Sequence, residues 1–308
     1  MGVAMVSPDS AEIAVNPATA EPLDWKLSPI SAALGVEIRG PDLRESQSDI
    51  SIAEIRRLLL RYQVLVFRDQ PITPAQHVAF ARRFGQLEIH PIYKQQDEFP
   101  ELVTLIANDK DPGQENVYHS DVSWREVPSL GSILHCIQCP PVGGDTIWVN
   151  MARAHEALPE EVRSRITKLT AVHDIAPSFS GMVSEDRRNQ IRNDFPPVEQ
   201  PVVIRHPETG KPVLYVNQAF TTHFANFAQC AREWEGYSGN DRFANEALMK
   251  LLLNQASIPE FQMRLRWQPN TVVFWDNRST QHYAVQDYFP QHRRMHRATV
   301  IGSKHVAA

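Results

Sequence analysis

Three short runs near the C-terminal end, FQMRLRWQ, TVVFWDN and RRMHRATVIG, constrain the fold more tightly than anything else in the chain. Each is rich in β-branched and aromatic residues and is bounded by Pro, Asn or Gly, the pattern of strands. The pattern recurs upstream in QVLVFRDQ, ELVTLIAN, GSILHCIQC and DTIWVN, and in PVVIRHPETGKPVLYVN, where two β-rich runs flank a turn. PISAALGVEIRGPDL reads as a first hairpin punctuated by Gly35 and Gly40. Helical spacing is confined to four places. These are Ile52, Ile55, Leu58 and Leu59; a helix opened by Thr73 and Pro74 and ended by Gly85; MARAHEALPEEVRSRITKL, restarted at Pro159; and residues 241 to 256. Many strands with a few outer helices predict a jelly-roll type double sheet, mainly β with flanking helices.

Residues 1–24, rich in Ala, Pro, Ser and Glu and without period, read as a flexible leader, and 25–308 as a single domain. Residues 176 to 200 are polar, proline-bearing and weakly periodic, so a long lid-like loop is expected there. CAREWEGYSGN, near 229–240, reads as a loop or insertion. A net charge of -5 leaves no basic footprint for nucleic acid. No apolar run approaches the ~20 residues that span a membrane, and no secretory pattern opens the chain, so a cytoplasmic location is expected. Cys136 and Cys139 form a C-x-x-C inside an apolar strand; with no second pair they read as structural, and with Cys230 they make no disulfide framework.

The chemistry centres on NVYHSDVSW, residues 116 to 124. On an extended segment His119 and Asp121 point the same way, because side chains alternate faces. An imidazole and a carboxylate aimed at one point suit a first-row transition metal. A third ligand must come from elsewhere, and His282 in NRSTQHYAVQDY supplies it. Two His and one carboxylate with open positions form the facial triad of non-haem Fe(II) oxygenases. The chain has twelve histidines, and the other nine, His90 apart, read as ordinary surface or core residues. In RRMHRATV, alternation places Arg293, Met295 and Arg297 on one face and Arg294 and His296 on the other.

RDQPITPAQ, FARRFGQLEIHPIY, YHSDVSW, PPVGGDTIW, HPETGKPVLYVNQAFTT, EFQMRLRWQPN, FWDNRSTQHYA and RRMHRATVIG together resemble the taurine dioxygenase branch of the Fe(II)/2-oxoglutarate-dependent oxygenases. The similarity runs from about residue 27 to 304. It implies a cupin-like double-stranded β-helix, Fe(II) held by His119, Asp121 and His282, and 2-oxoglutarate and O2 as co-substrates. It implies that Arg293 takes the distal carboxylate of 2-oxoglutarate, which a planar guanidinium meets bidentately, with Thr146 adding a hydroxyl. It also implies that Arg297, His90 and Tyr93 receive a substrate sulfonate and that Phe220 walls the pocket. Where the family contacts the substrate amine through Asn, this chain has Glu115, followed by Asn116. Tyr118 and Ser120 replace the commoner Trp and Thr.

The expected reaction hydroxylates a small anionic sulfonate, taurine first, at the carbon bearing sulfur, releasing sulfite and an aldehyde with succinate and CO2. An alkyl sulfate ester or aryloxyalkanoate is the alternative substrate. A zinc-dependent hydrolase uses a similar ligand set but has no need for Arg293 and Thr146. A metal-binding barrel serving only as an interaction module is a further reading. A homo-oligomer is expected, with neither nucleic acid nor membrane as partner.

Overall fold

The computed structural model describes residues 23–93, 95–110, 116–179, 181, 183–234 and 242–308. The leader lies almost wholly outside them. A hairpin, β1 (Lys26–Pro29) and β2 (Val36–Arg39), is followed by α1 (Asp49–Tyr62), β3 (Val64–Phe67), α2 (Pro74–Arg82), β4 (Leu102–Ala107), β5 (Ser129–Gln138) and β6 (Thr146–Asn150). Next come α3 (Met151–Glu156), α4 (Glu160–Ile166), β7 (Thr170–His173), α5 (Glu185–Asp194), β8 (Val198–Pro201), β9 (Val203–Arg205), β10 (Pro212–Leu214), β11 (Thr221–Phe224), α6 (Phe227–Ala231) and α7 (Arg242–Asn254). The C-terminal strands are β12 (Gln262–Leu265), β13 (Val272–Asp276), β14 (Thr280–Ala284), β15 (Arg293–Ile301) and β16 (Val306–Ala307).

A seven-stranded sheet in the order β1-β2-β3-β13-β5-β15-β4 forms one wall. The sheet β12-β6-β14 faces it, with β11-β7-β8 and β10-β9-β16 beside. Every pairing is antiparallel except β2 with β3. The jelly-roll expectation holds. Between the walls, Val64, Leu134, Cys136, Val273, Trp275 and Met295 meet Trp148, Met263, Leu265 and Trp267 across one apolar layer. Cys136 is buried and all three cysteines are free.

The outer face of the large sheet is covered by α1 and α2, which bury Ile55, Leu58, Leu59, Val78 and Phe80 against Leu65, Phe67, Ile133 and Phe274. α2 starts as its sequence requires: Thr73 and Gln76 form a reciprocal capping box ahead of Pro74. It ends at Arg82, before Gly85.

The segment 176–200 departs from the expected loop. It holds α5, capped by Ser184 with Glu185 and Asp186 in its first turn, and then β8. Cap and dipole form this helix rather than an apolar stripe, since Ile191 is its one buried residue. β7 and β14 also lie where no strand was expected. Of CAREWEGYSGN, residues 235–240 lie outside the described residues, and α6 ends at Ala231.

Candidate metal and substrate site

The backbone brings His119 and His282 together. Each donates its N–H to the other's carbonyl, at 3.0 and 2.8 Å, an isolated antiparallel bridge joining the 116–124 segment to β14. The ring centroids stand 4.1 Å apart. Asp121 does not arrive by strand alternation. Extended structure stops at His119, and 121–124 is a turn with Val122 at φ 62. A β-branched residue in the left-handed region costs on the order of 1–3 kcal/mol and persists only when its surroundings enforce it. Asn277 Oδ1 accepts from the Asp121 N–H at 3.2 Å, Ser129 Oγ donates to the Asp121 carbonyl at 2.9 Å, and Ser120 Oγ donates to the Thr280 carbonyl at 2.8 Å. Val122 and Trp124 are driven into an apolar cluster with Ile175, Ile191 and Phe220.

The turn places Asp121 Oδ1 3.8 Å from His119 Nε2 and 4.0 Å from His282 Nε2. One ligand atom from each of the three lies within 4.8 Å of the others, and all three residues are buried. His119 Nδ1 lies 2.8 Å from the Val117 carbonyl, which accepts its proton and leaves the Nε2 lone pair facing inward. Burial holds His282 in its neutral, ligating form. For Asp121, burial opposes ionisation, but Arg297, both imidazoles and the Ser132 hydroxyl outweigh it and hold the carboxyl well below the usual range. Two buried imidazoles and an ionised carboxylate converging on one point fit a ferrous ion.

Arg293 and Arg297 emerge from β15 on its inner face, as alternation predicts, with Arg294 exposed opposite. Arg293 is buried, has no ion pair among the described residues, and its Nε has no hydrogen-bond partner there. A buried cation without a counter-charge is costly, so this pocket suits an anion, as a 2-oxoglutarate carboxylate is. Arg293 lies over the Trp267 ring at 5.9 Å, and the Trp267 indole donates to Thr146 Oγ1 at 2.9 Å. Trp267 therefore joins Thr146 to Arg293, a link that no local pattern marks.

Arg297 donates to Asp121 Oδ1 at 2.7 Å and lies 5.6 Å from the Tyr93 ring centroid. His90 packs on Tyr93 at 4.7 Å and edge-on to Trp124. The His90 Nδ1 accepts from the Ile92 and Tyr93 N–H groups, so the ring proton sits on Nε2. Burial first, then Arg297, lowers its pKa to about 3. The ring is therefore neutral, with its one N–H at Nε2. Phe220 meets the His119 ring edge-on at 6.2 Å. His90, Tyr93, Arg297 and Phe220 thus converge on the ligands. Asn116 is exposed; Glu115 lies outside the described residues.

A double-stranded β-helix with two imidazoles and a carboxylate at one end and a buried, unpaired arginine beside them defines a metal-dependent oxygenase. The chain belongs to the family described as taurine catabolism dioxygenase TauD, TfdA, whose model matches residues 26–299. It is 32% identical to an alkylsulfatase of Acinetobacter baylyi, over 90% of this chain and 85% of that one. It is also 32% identical to an alpha-ketoglutarate-dependent sulfate ester dioxygenase of Pseudomonas putida, over 91% and 90%. A putative alpha-ketoglutarate-dependent taurine dioxygenase from Burkholderia xenovorans superposes with a TM-score of 0.77 at 32% identity, over 92% and 95%. The protein is a 2-oxoglutarate-dependent dioxygenase that uses Fe(II) and O2. Among the described residues no helix is long and apolar enough to cross a membrane.

Proposed function

We propose that this enzyme oxidises a small organosulfur anion at the carbon next to its sulfo group, and that the body of the substrate is apolar. The carrying observation is the contrast within the pocket. Arg297, His90 and Tyr93 present a cation and polar groups at one place. Beside them lies an apolar wall: Tyr93 packs on the cluster of Val122, Trp124, Ile175 and Phe220, with Ile92 and Phe195 against it, and Trp124 meets His90 edge-on. The nearby carboxylates among the described residues are engaged: Asp121 with Arg297, Glu88 with Arg125, and Asp174 with Arg192. Such a wall favours an alkyl sulfate ester over taurine, whose ammonium needs a counter-charge. Taurine remains the second reading through Glu115, beside the site in sequence.

In this reading His119, Asp121 and His282 hold Fe(II), and Arg293 with Thr146 orients 2-oxoglutarate through its distal carboxylate. The iron, with 2-oxoglutarate and O2, supplies the oxidising power that places a hydroxyl on carbon. Arg297 and His90 fix the sulfo group, so the adjacent carbon is the one presented. The apolar wall excludes water. A hydroxyl on a carbon bearing a sulfate oxygen collapses to an aldehyde and sulfate; on a carbon bearing sulfur it yields an aldehyde and sulfite. The test is a panel of hexyl sulfate, hexanesulfonate, taurine and an aryloxyacetate, read by succinate formation and by the anion released. Sulfate from hexyl sulfate, at higher kcat/KM than any product from taurine, bears the proposal out. Preference for taurine or the aryloxyacetate overturns it.

A further inference from the structure

We propose that Ser132 and Asn277 are positioning residues for the metal, clamping Asp121 so that a single carboxylate oxygen, Oδ1, is turned toward the ion. The inference rests on His119, Asp121 and His282 being the ligands. Ser132 Oγ donates to Asp121 Oδ2 at 2.7 Å. The same Oγ accepts from Asn277 Nδ2 at 3.0 Å. The Asn277 carbonyl oxygen accepts from the Trp275 indole at 2.8 Å and from the Asp121 N–H at 3.2 Å. Two donors on that oxygen fix which way the amide faces, so its NH2 end is turned to Ser132. A hydroxyl that accepts from Asn277 has its own hydrogen left for Asp121. The relay thus has one direction, from Trp275 to the carboxylate.

Its position matters as much as its polarity. Ser132 points inward from β5, beside the apolar Leu134 and Cys136, and both Ser132 and Asn277 are fully buried. A hydroxyl there is costly unless both its capacities are used. Asn277 sits between β13 and β14, so the relay ties the turn carrying Asp121 to the strand carrying His282. It also opposes Arg297, which bonds Oδ1 from the other side. Without the hydroxyl, Oδ2 loses its donor and the carboxylate is free to rotate, so Arg297 and the metal compete for either oxygen. Asp121 remains in place, but its orientation toward the two imidazoles is lost.

The test titrates the metal-free, full-length enzyme with Co(II) in the presence of 2-oxoglutarate, well below the melting temperature of every variant. Ser132→Ala weakens cobalt binding by roughly 10- to 100-fold, the usual effect of losing a partner behind a ligand. Ser132→Thr keeps a hydroxyl on a residue suited to a strand and returns the affinity close to wild type. Asn277→Ala weakens it comparably, and the double variant is no weaker than the worse single one, as for links in one relay. Thr299→Val removes only the 3.4 Å neighbour of Ser132 and leaves cobalt affinity unchanged. Wild-type affinity in Ser132→Ala overturns the proposal, and so does a loss that Ser132→Thr fails to restore. A wild-type enzyme that binds no cobalt overturns the ligand assignment itself.

Discussion

Two groups of buried histidines lie on opposite sides of β5 and β15. On the inner side, His119 and His282 share Asp121, which β5 holds through Ser132 and β15 through Arg297. On the outer side, beneath α2, His77 and His135 meet edge-on at 6.2 Å, and His135 is paired across the strands with His296. Both groups are drained of water. The outer one has no carboxylate partner among the described residues: His77 Nε2 meets the Ile133 carbonyl at 3.0 Å and His296 meets the Gln96 amide at 2.8 Å. Burial alone makes an imidazole a packing element; an ionised carboxylate within reach, and lone pairs turned toward it, make it a ligand.

The sharpest break of that comparison removes the carboxylate charge. Asp121→Asn keeps the shape of the side chain and costs more than about 100-fold in 2-oxoglutarate-dependent O2 consumption, beyond what loss of a supporting hydrogen bond brings. His135→Gln leaves turnover unchanged while lowering the melting temperature. A His135→Gln variant as inactive as Asp121→Asn would put chemistry on the wrong side of the sheet. Next in size is Arg293→Ala, which removes a charge-assisted contact worth about 1.5–3 kcal/mol. The expected result is a KM for 2-oxoglutarate raised by about 10- to 150-fold, at 1.4 kcal/mol per factor of ten, and a smaller change in kcat. Arg294→Ala, on the exposed face of the same strand, leaves KM as it was.

The outer group is tested by acid. Burial lowers the pKa of His77 from its ordinary 6.5 to about 3, with His135 and His296 adding to it, and lowers His135 and His296 to about 4. Below pH 6.5 the unfolded chain takes up protons that the folded chain refuses, so stability falls from pH 6.5 downward and the loss is complete only near the folded values. For His77, wholly enclosed, the slope approaches about 1.4 kcal/mol per pH unit. His77→Gln cannot take that proton, and denaturant melts between pH 6.5 and 4 show a shallower slope for it. An unchanged slope means that His77 does not resist protonation in the fold.

How much of this the sequence carried depends on whether a residue answers to its neighbours in the chain or in space. β5, β13 and β15 were legible because their β-branched runs bury whole faces. β14 was not, because Thr280, Gln281 and His282 are buried for polar contacts. α5 was hidden by having one buried residue. The ligands and the two inward arginines could be named from spacing and resemblance. The turn that aims Asp121 could not, since Val122 by itself speaks for extended backbone and the contacts that override it come from elsewhere in the fold. Ser132 and Asn277 meet across 145 positions, and no local pattern marks a serine in an apolar strand as a partner of a distant amide.

The smallest expected effect refines the contrast at its outer edge. Gln96 is half-buried and its amide donates to His296 Nε2, which fixes the His296 proton on Nδ1. Gln96→Leu leaves that nitrogen without its donor in a position of similar volume, at a cost of about 1 kcal/mol. The loss shows as a lower midpoint in a denaturant melt at pH 7.5 with no change in its slope. Cobalt affinity and turnover stay at wild-type values, because His296 and Arg297 are adjacent in sequence yet face opposite sides of β15. A change in metal affinity in this variant would mean that the two faces are coupled through the strand, and that the inner and outer histidines are one system rather than two.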